Sequence, residues 1–470
     1  MGNTKMTDKQ KVKTMADSDY VFGNFGGKVG QMSIPDFRSH LNDNDNQVLN
    51  DVAFYIDVNS ASSLGSTRVD TGGNLHMRAM WEAAHVDILM DKNGNYCELN
   101  PNDCRYTAEG EAVVDISTNA ILPKWQNCDM MKIIPLTYGH IQTVQIGAST
   151  LHRLWLSLVP LPNGYIIPQQ VVGKFKAGNV SGAMRSLPNM TPDNSKNIKA
   201  FWNCAQARSK SHGLANLDFR NALLFYMMSK YGYRDSQNCK GGDGTLVWGV
   251  GLDGTESTGS NKFADQRYIK TGHTLSLGKH DGKVAVADNN GTTVHGVNVN
   301  GFENPFGQYW EMVQGICSVG SDVYHWRSNV MPTGTPTAAS FDHIDHVVLQ
   351  RATSDGVTQM NMIASEEGQG CYMIPKGSVS GISYGDLYLY AGTCHLWLFG
   401  GYSRSGADCG LASADSAFAW ESSYAGAACG LAYAYSSYAW SYSYASFSAR
   451  LAYYGDINKV SSARLAELLA

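Results

Sequence analysis

The chain has 470 residues, of which 43% are hydrophobic and 16% charged, and its formal net charge is -5. That balance supports a packed core and excludes wholesale disorder, and the lack of a basic run argues against a nucleic-acid partner. No apolar run reaches the roughly 20 residues that cross a bilayer, and residues 1–10 lack the apolar segment of a secretory signal, so folding in a cytosol is expected.

Residues 1–120 read as a separate, mostly β module for mounting or assembly. Residues 52–58, Val-Ala-Phe-Tyr-Ile-Asp-Val, form a strand-like run. Residues 86–90 and 96–99 bracket Asn93-Gly94, a strong hairpin signal. Asp91, Asn93 and Asn95 echo a calcium loop, but Asn102 stands where that loop needs its acidic twelfth ligand. The ten cysteines include no Cys-x-x-Cys pair, and most are expected to be reduced and buried or simply tolerated.

From residue 122 the texture changes. Strands are expected over 131–135, 140–146 and 154–159. The clearest helix covers 217–232, where Phe219, Ala222, Leu223, Tyr226 and Met227 follow the spacing of one buried face, with Gly232 as its cap. Residues 233–300, rich in Gly, Asp and Asn, read as long loops. Their glycine clusters lack the Lys and Ser/Thr of a phosphate loop. Asp342-His-Ile-Asp-His346 is the densest set of metal-type ligands, but on a strand it divides between two faces, which suits no single metal. No catalytic constellation, metal site or cofactor site emerges. A short helix with a Ser cap closes the chain over 457–470.

The most distinctive stretch is 400–454. Between Gly401 and Tyr454 nine residue types, among them Lys, Gln, Asn and Thr, are missing. Residues 406–420 return as 426–440, with 10 of 15 positions identical. The differing pairs are Asp408/Ala428, Ser413/Tyr433, Asp415/Tyr435, Ala417/Ser437 and Phe418/Tyr438, while Ala412, Ala414 and Ser416 recur unchanged as Ala432, Ala434 and Ser436. In an extended chain alternate side chains face opposite ways. One face is therefore read as fixed and small, the other as exchangeable. The exchangeable set of Tyr, Ser, Asp, Phe and Ala is that of antibody-like binding surfaces.

Residues 122–456 resemble the variable proteins of diversity-generating retroelements, which carry a C-type-lectin fold of the formylglycine-generating-enzyme-like branch. The resemblance rests on Gly301-Phe-Glu-Asn-Pro-Phe-Gly-Gln-Tyr-Trp-Glu-Met-Val313, similar to that branch's Gly-Asn-x-Trp-Glu-Trp segment. It rests also on Leu398-Phe-Gly-Gly401 and Ala449-Arg-Leu-Ala-Tyr-Tyr454, which bracket the variable region. It implies an α+β, C-type-lectin-like C-terminal domain after the mostly β N-terminal module. In such families mutagenic reverse transcription of adenines reaches Tyr, Ser, Asp, Ala, Phe, Cys and Gly codons but not Trp, which marks Trp420 and Trp440 as fixed scaffold.

The function so implied is non-enzymatic. It is a homotrimeric receptor-binding protein at a phage tail-fibre tip, assembled in host cytoplasm and joined to other virion tail proteins through its N-terminal module. Its partner would be a bacterial surface receptor, protein or glycan. The expected contacts are Tyr402, Ser403, Arg404, Asp408, Ser413, Asp415, Ala417, Phe418, Ser422, Tyr424, Ala428, Tyr433, Tyr435, Ser437, Tyr438, Tyr442, Tyr444 and Phe447. Two alternatives remain: a formylglycine-generating-type oxidase using Cys409 and Cys429, and a bacterial surface adhesin, which needs an export signal.

Overall fold

The structure, a computed structural model, describes residues 20–25, 28–33, 45–59, 70–146, 149–161, 164–232, 239–245, 247–248, 269–287, 291, 293–306, 308–320, 322–350, 356–364, 371–375, 385–389, 392–400, 430–436 and 439–470. It is a mixed fold of many strands and few helices. Among the described residues, no helix is long and apolar enough to cross a membrane.

One large sheet organises the fold. Nine of its strands matter below: β1 (Val86–Met90), β2 (Asn95–Glu98), β3 (Asp129–Ile134), β4 (Gln170–Lys176), β5 (Trp310–Gly320), β6 (Gly392–Gly400), β7 (Gly430–Ser436), β8 (Phe447–Tyr453) and β9 (Asn458–Lys459). Their order across the sheet is β7-β6-β5-β8-β4-β3-β1-β2-β9. Beyond β7 lie Gly385–Leu389, Gly356–Ala364 and Cys371–Pro375. Strand β8 runs parallel to β5 and antiparallel to β4, so the segment closing the repeat region forms the middle of the sheet.

Asn93-Gly94 turns β1 into β2 as the sequence predicts. Asp91 organises this turn: its carboxylate accepts from the Asn93 and Asn95 amides at 2.8 and 2.9 Å and from the Asn95 side chain at 2.9 Å. Those oxygens are occupied as an Asx turn rather than as calcium ligands.

The boundary expected at residue 120 does not divide the sheets. Strand β1 pairs with β3, and β2 pairs with β9 near the C-terminus. Phe54–Asn59 likewise pairs with Ser149–Ser157 in a second, five-stranded sheet. The C-terminal helix, Ser462–Leu469, is no appendage either, because Leu465 is fully buried in a cluster with Leu89, Cys97 and Trp125. Long-range pairing overrides the change in composition that marked these boundaries.

The helix Leu217–Tyr231 forms where expected. Asn216 caps its start, accepting from the Phe219 amide at 3.2 Å, and Gly232 ends it at φ 70°, which favours glycine. Its environment differs from the expectation of a single buried face, since every residue from Leu217 to Ser229 is buried. It shares one cluster with Phe54, Ile56 and Leu154 of the five-stranded sheet, Val313 and Ile316 of β5, and Val297 and Phe302. A helix enclosed on all sides must partner its polar groups. Arg327 therefore grips Asp218 with two nitrogens at 2.7 and 3.0 Å.

The loops expected over 233–300 are partly strand: Gly282–Ala287 and Thr293–Val299 pair antiparallel. Asp342, His343 and Asp345 lie exposed, before the strand His346–Gln350 begins.

Candidate functional site

The foundation of the site is a buried array of charges around residues 301–313. Glu311 of β5 is fully buried. Its Oε2 lies 3.2 Å from Arg450 Nε, 3.8 Å from Lys176 Nζ and 3.9 Å from Arg220 Nη1. Burial pushes the Glu311 carboxyl up, but Arg450, Lys176 and Arg220 outweigh it and hold it below the usual carboxylate range. The same cations receive three consecutive carbonyls. Arg450 Nη2 donates to Glu303 O at 2.7 Å, Lys176 Nζ to Asn304 O, and Arg220 Nη1 to Pro305 O at 2.8 Å. The Glu303 carboxylate accepts from the Gly272 and Thr274 amides, each at 2.8 Å, and from the Thr274 hydroxyl at 2.9 Å. The cations tie the Glu311 carboxylate to the carbonyls of residues 303–305, so the array is a keystone holding the 301–306 turn, β4, β5 and β8 together.

Of the eighteen expected contacts, Tyr433, Tyr435, Tyr442, Tyr444 and Phe447 fall within the described residues. Tyr402, Ser403, Arg404, Asp408, Ser413, Asp415, Ala417, Phe418, Ser422, Tyr424, Ala428, Ser437 and Tyr438 lie outside the described residues, as do Cys409, Cys429 and Trp420. The second copy of the repeat contains strand β7, so the extended backbone assumed for it is present there. Tyr433 and Tyr435 occupy alternate positions of β7, offset from Ala432, Ala434 and Ser436. In register, Tyr435 stands opposite Leu398 and Ala434 opposite Phe399, and both β6 residues are buried.

The turn from 439 to 447 is described in full. Trp440 is buried at 3% exposure, the place expected of fixed scaffold. Tyr442 and Tyr444 are 41% and 51% exposed. Their rings lie 6.3 Å apart at 24°, a stacked arrangement. Phe447 corrects the expectation for that position. It is 0% exposed, in the same cluster as Trp440, Leu398 and Trp310, and it cannot reach a ligand. Its role is to underlie the tyrosines, at 5.9 Å from Tyr442 and 6.0 Å from Tyr444.

The backbone of this turn is pinned at several points. The Tyr442 amide donates to Ala439 O at 2.9 Å, Phe447 to Tyr444 O at 3.0 Å, Trp310 to Ser446 O at 2.9 Å, and Ser195 to Tyr444 O at 3.2 Å. Ser195 is exposed, has φ 58°, and lies far away in sequence, so no local pattern announces it. The turn carries no charged residue. Its surface offers aromatic rings and hydroxyls, which serve stacking and hydrogen bonding rather than proton transfer. Among the described residues no group of three or more His, Cys, Asp or Glu side chains is placed to hold a metal. Two clefts among the described residues, of about 190 and 200 Å³ around Asn119 and His273, involve none of the expected contacts.

No protein-family description matches the chain, and no curated protein matches it.

Proposed function

We propose that the chain is a receptor-binding protein of a phage tail fibre, with a C-type-lectin-like scaffold that displays a diversified face to a bacterial surface receptor, protein or glycan. In this reading the protein works as a homotrimer, so that weak single-site contacts add through avidity. Other virion tail proteins hold it at its N-terminal side. The observation that carries the reading is the stacked, exposed pair Tyr442 and Tyr444, set on a closed apolar base of Trp440 and Phe447. Nothing in the packing below requires those rings to stand in solvent, and rigid exposed tyrosines are characteristic energy sources of binding surfaces. The restricted alphabet of 400–454 supports diversification.

The test is retention of the full chain on a panel of bacterial strains, compared with the double variant Tyr442→Ala, Tyr444→Ala. A strain-specific signal that falls about tenfold or more in the variant supports the reading, since hot-spot tyrosines contribute above about 1 kcal/mol each. Undiminished retention removes this face from the site, and no retention on any strain removes the receptor-binding reading.

A further inference from the structure

Three chain segments distant in sequence meet at a groove that the tyrosine face does not use. They are the loop of the hairpin pairing Asp115 with Ala120, the turn at Asn189, and the segment 269–276. The groove consists of the two clefts of about 190 and 200 Å³, which share Asn119 and His273. Its walls are fixed by backbone. Thr271 O accepts from the Asn189 amide at 2.8 Å and from the Asn119 side chain at 3.4 Å, and the Thr271 hydroxyl donates to Leu187 O at 2.6 Å. The Glu303 carboxylate holds the Gly272 and Thr274 amides, which ties the same segment to the keystone. Gly272 has φ 96°, and a Cβ there would stand 2.6 Å from Pro188 Cβ and 2.8 Å from Asn119 Nδ2, so the three segments are in direct contact. Asn119 and Asn189 adopt φ 54° and 57°, a left-handed conformation uncommon for residues with a side chain. Such backbone persists where its surroundings over-determine it, and it clusters at ligand sites.

The chemistry of the groove is one-sided. Its lining includes Arg105, Lys270 and His273 and, among the described residues, no Asp or Glu, in a chain whose net charge is -5. The nearest acids in sequence are committed elsewhere. Asp103 clamps Arg105 through Nε at 2.9 Å and Nη2 at 2.6 Å, and Asp115 Oδ1 accepts from the Ser117 amide and hydroxyl at 2.8 and 2.6 Å. That clamp compensates Arg105. Lys270 is exposed and His273 half-buried, and among the described residues neither side chain has a hydrogen bond or ion pair. A cleft lined by one sign of charge concentrates its field, and an oxyanion makes its strongest hydrogen bonds with such donors. The clefts are small beside the roughly 300–1,000 Å³ of drug-sized sites, which limits a ligand to about one ring.

We propose that this groove binds a small organic oxyanion, a sugar-sized molecule carrying a carboxylate or a phosphate. Lys270 and His273 take the anionic group, and the amides of Asn119 and Asn189 take the hydroxyls of the ring. The site is separate from Tyr442 and Tyr444 and does not rest on the receptor-binding reading.

The test is titration of the full chain, followed by ligand-observed NMR, with glucuronate, glucose 6-phosphate, inorganic phosphate and glucose. Binding of either sugar acid, tighter than that of glucose and weakened by added salt, is the expected result, and the acid that binds tighter tells carboxylate from phosphate. Lys270→Ala and His273→Gln should each weaken it about tenfold, the share of one charge-assisted hydrogen bond. The double variant Tyr442→Ala, Tyr444→Ala should bind as wild type does. No binding of any of the three anions at about 10 mM, ten times a weak Kd of about 1 mM, overturns the proposal. So does glucose binding as tightly as the acids, or affinity unchanged in both Lys270→Ala and His273→Gln. Inorganic phosphate binding as tightly as both sugar acids overturns the part given to Asn119 and Asn189. Loss of binding in the tyrosine double variant overturns the separation of the two sites. Lys270 is exposed and makes no contact that folding needs, so its variant keeps the test open if His273→Gln fails to fold.

Discussion

Tyr442, Tyr444 and Phe447 are neighbours in sequence and similar in chemistry, yet they have opposite roles. The first two are exposed and the third is sealed beneath them. Phe447→Ala should therefore destabilise the protein by about 3–5 kcal/mol, the cost of an aromatic deletion in a packed core. Tyr442→Ala and Tyr444→Ala should each stay within about 0.5 kcal/mol of wild type, as exposed substitutions do. Denaturant midpoints check both, and equal losses at all three positions would show that the tyrosines are part of the core. Glu311 gives a second contrast. Glu311→Gln keeps the shape but removes the charge that Arg450, Lys176 and Arg220 surround. Leaving buried cations without their carboxylate costs about 3–5 kcal/mol. A variant as stable as wild type in the same titration would show that the three backbone carbonyls alone satisfy the cations.

Elements whose determinants are local were legible in the sequence. Asn93-Gly94 specifies its hairpin within two residues, and Asn216 and Gly232 mark both ends of the long helix. Elements whose determinants are distant were not. The helix pattern shows one apolar stripe, but Asp218, Arg220 and Asn221 on its other side are buried as well, and Asp218 and Arg220 find partners far along the chain in Arg327 and Pro305. In the same way Lys132, Lys174, Lys176 and Arg450 look like surface residues until strand pairing places them in the core. The restricted alphabet of 400–454 was legible, but Phe447 shares that alphabet with its exposed neighbours, so composition could not separate foundation from face.

The hairpin also shows how a local turn acquires a distant duty. Gly94 has φ 90°, and a Cβ there would stand 2.3 Å from Asp456 O and 2.7 Å from the Tyr453 hydroxyl. The Asn458 amide donates to Gly94 O at 2.9 Å, which docks β9 against β2. Gly94→Ala should cost more than about 1 kcal/mol, since both the backbone conformation and the space are wrong for a side chain. Hydrogen exchange should quicken first at Asn458 and Val460, whose amides donate to Gly94 and Tyr96. Unchanged protection there would mean that the C-terminal strand is held from elsewhere.

At the scale of the whole molecule, three histidines buried among the described residues shape the response to acid. His85, His212 and His325 are 2%, 0% and 1% exposed. Burial pushes their imidazolium forms down from the ordinary 6.5, to about 3 for His85 and about 4 for His212 and His325. Each is therefore neutral in the folded chain at pH values where the unfolded chain has taken up a proton. A depressed folded-state value leaves the native state undiminished above the unfolded value. Below about 6.5 the unfolded state binds more protons, and stability falls until the folded values are reached. The slope is about 1.4 kcal/mol per pH unit for each histidine that behaves in this way. Asp87 and Glu311, both held below the usual carboxylate range, extend the loss at lower pH, where the unfolded chain protonates its carboxylates first. Guanidinium titrations at pH 7.5 and pH 5 should thus differ by about 1–4 kcal/mol, the acid sample being the weaker. Replacing His325 by Gln should flatten the profile over that interval by up to one histidine's share. A stability that is level from pH 7.5 to 5 would mean that these imidazoles accept protons inside the fold, and the core around β5, β8 and the long helix would then be far more hydrated than their burial indicates.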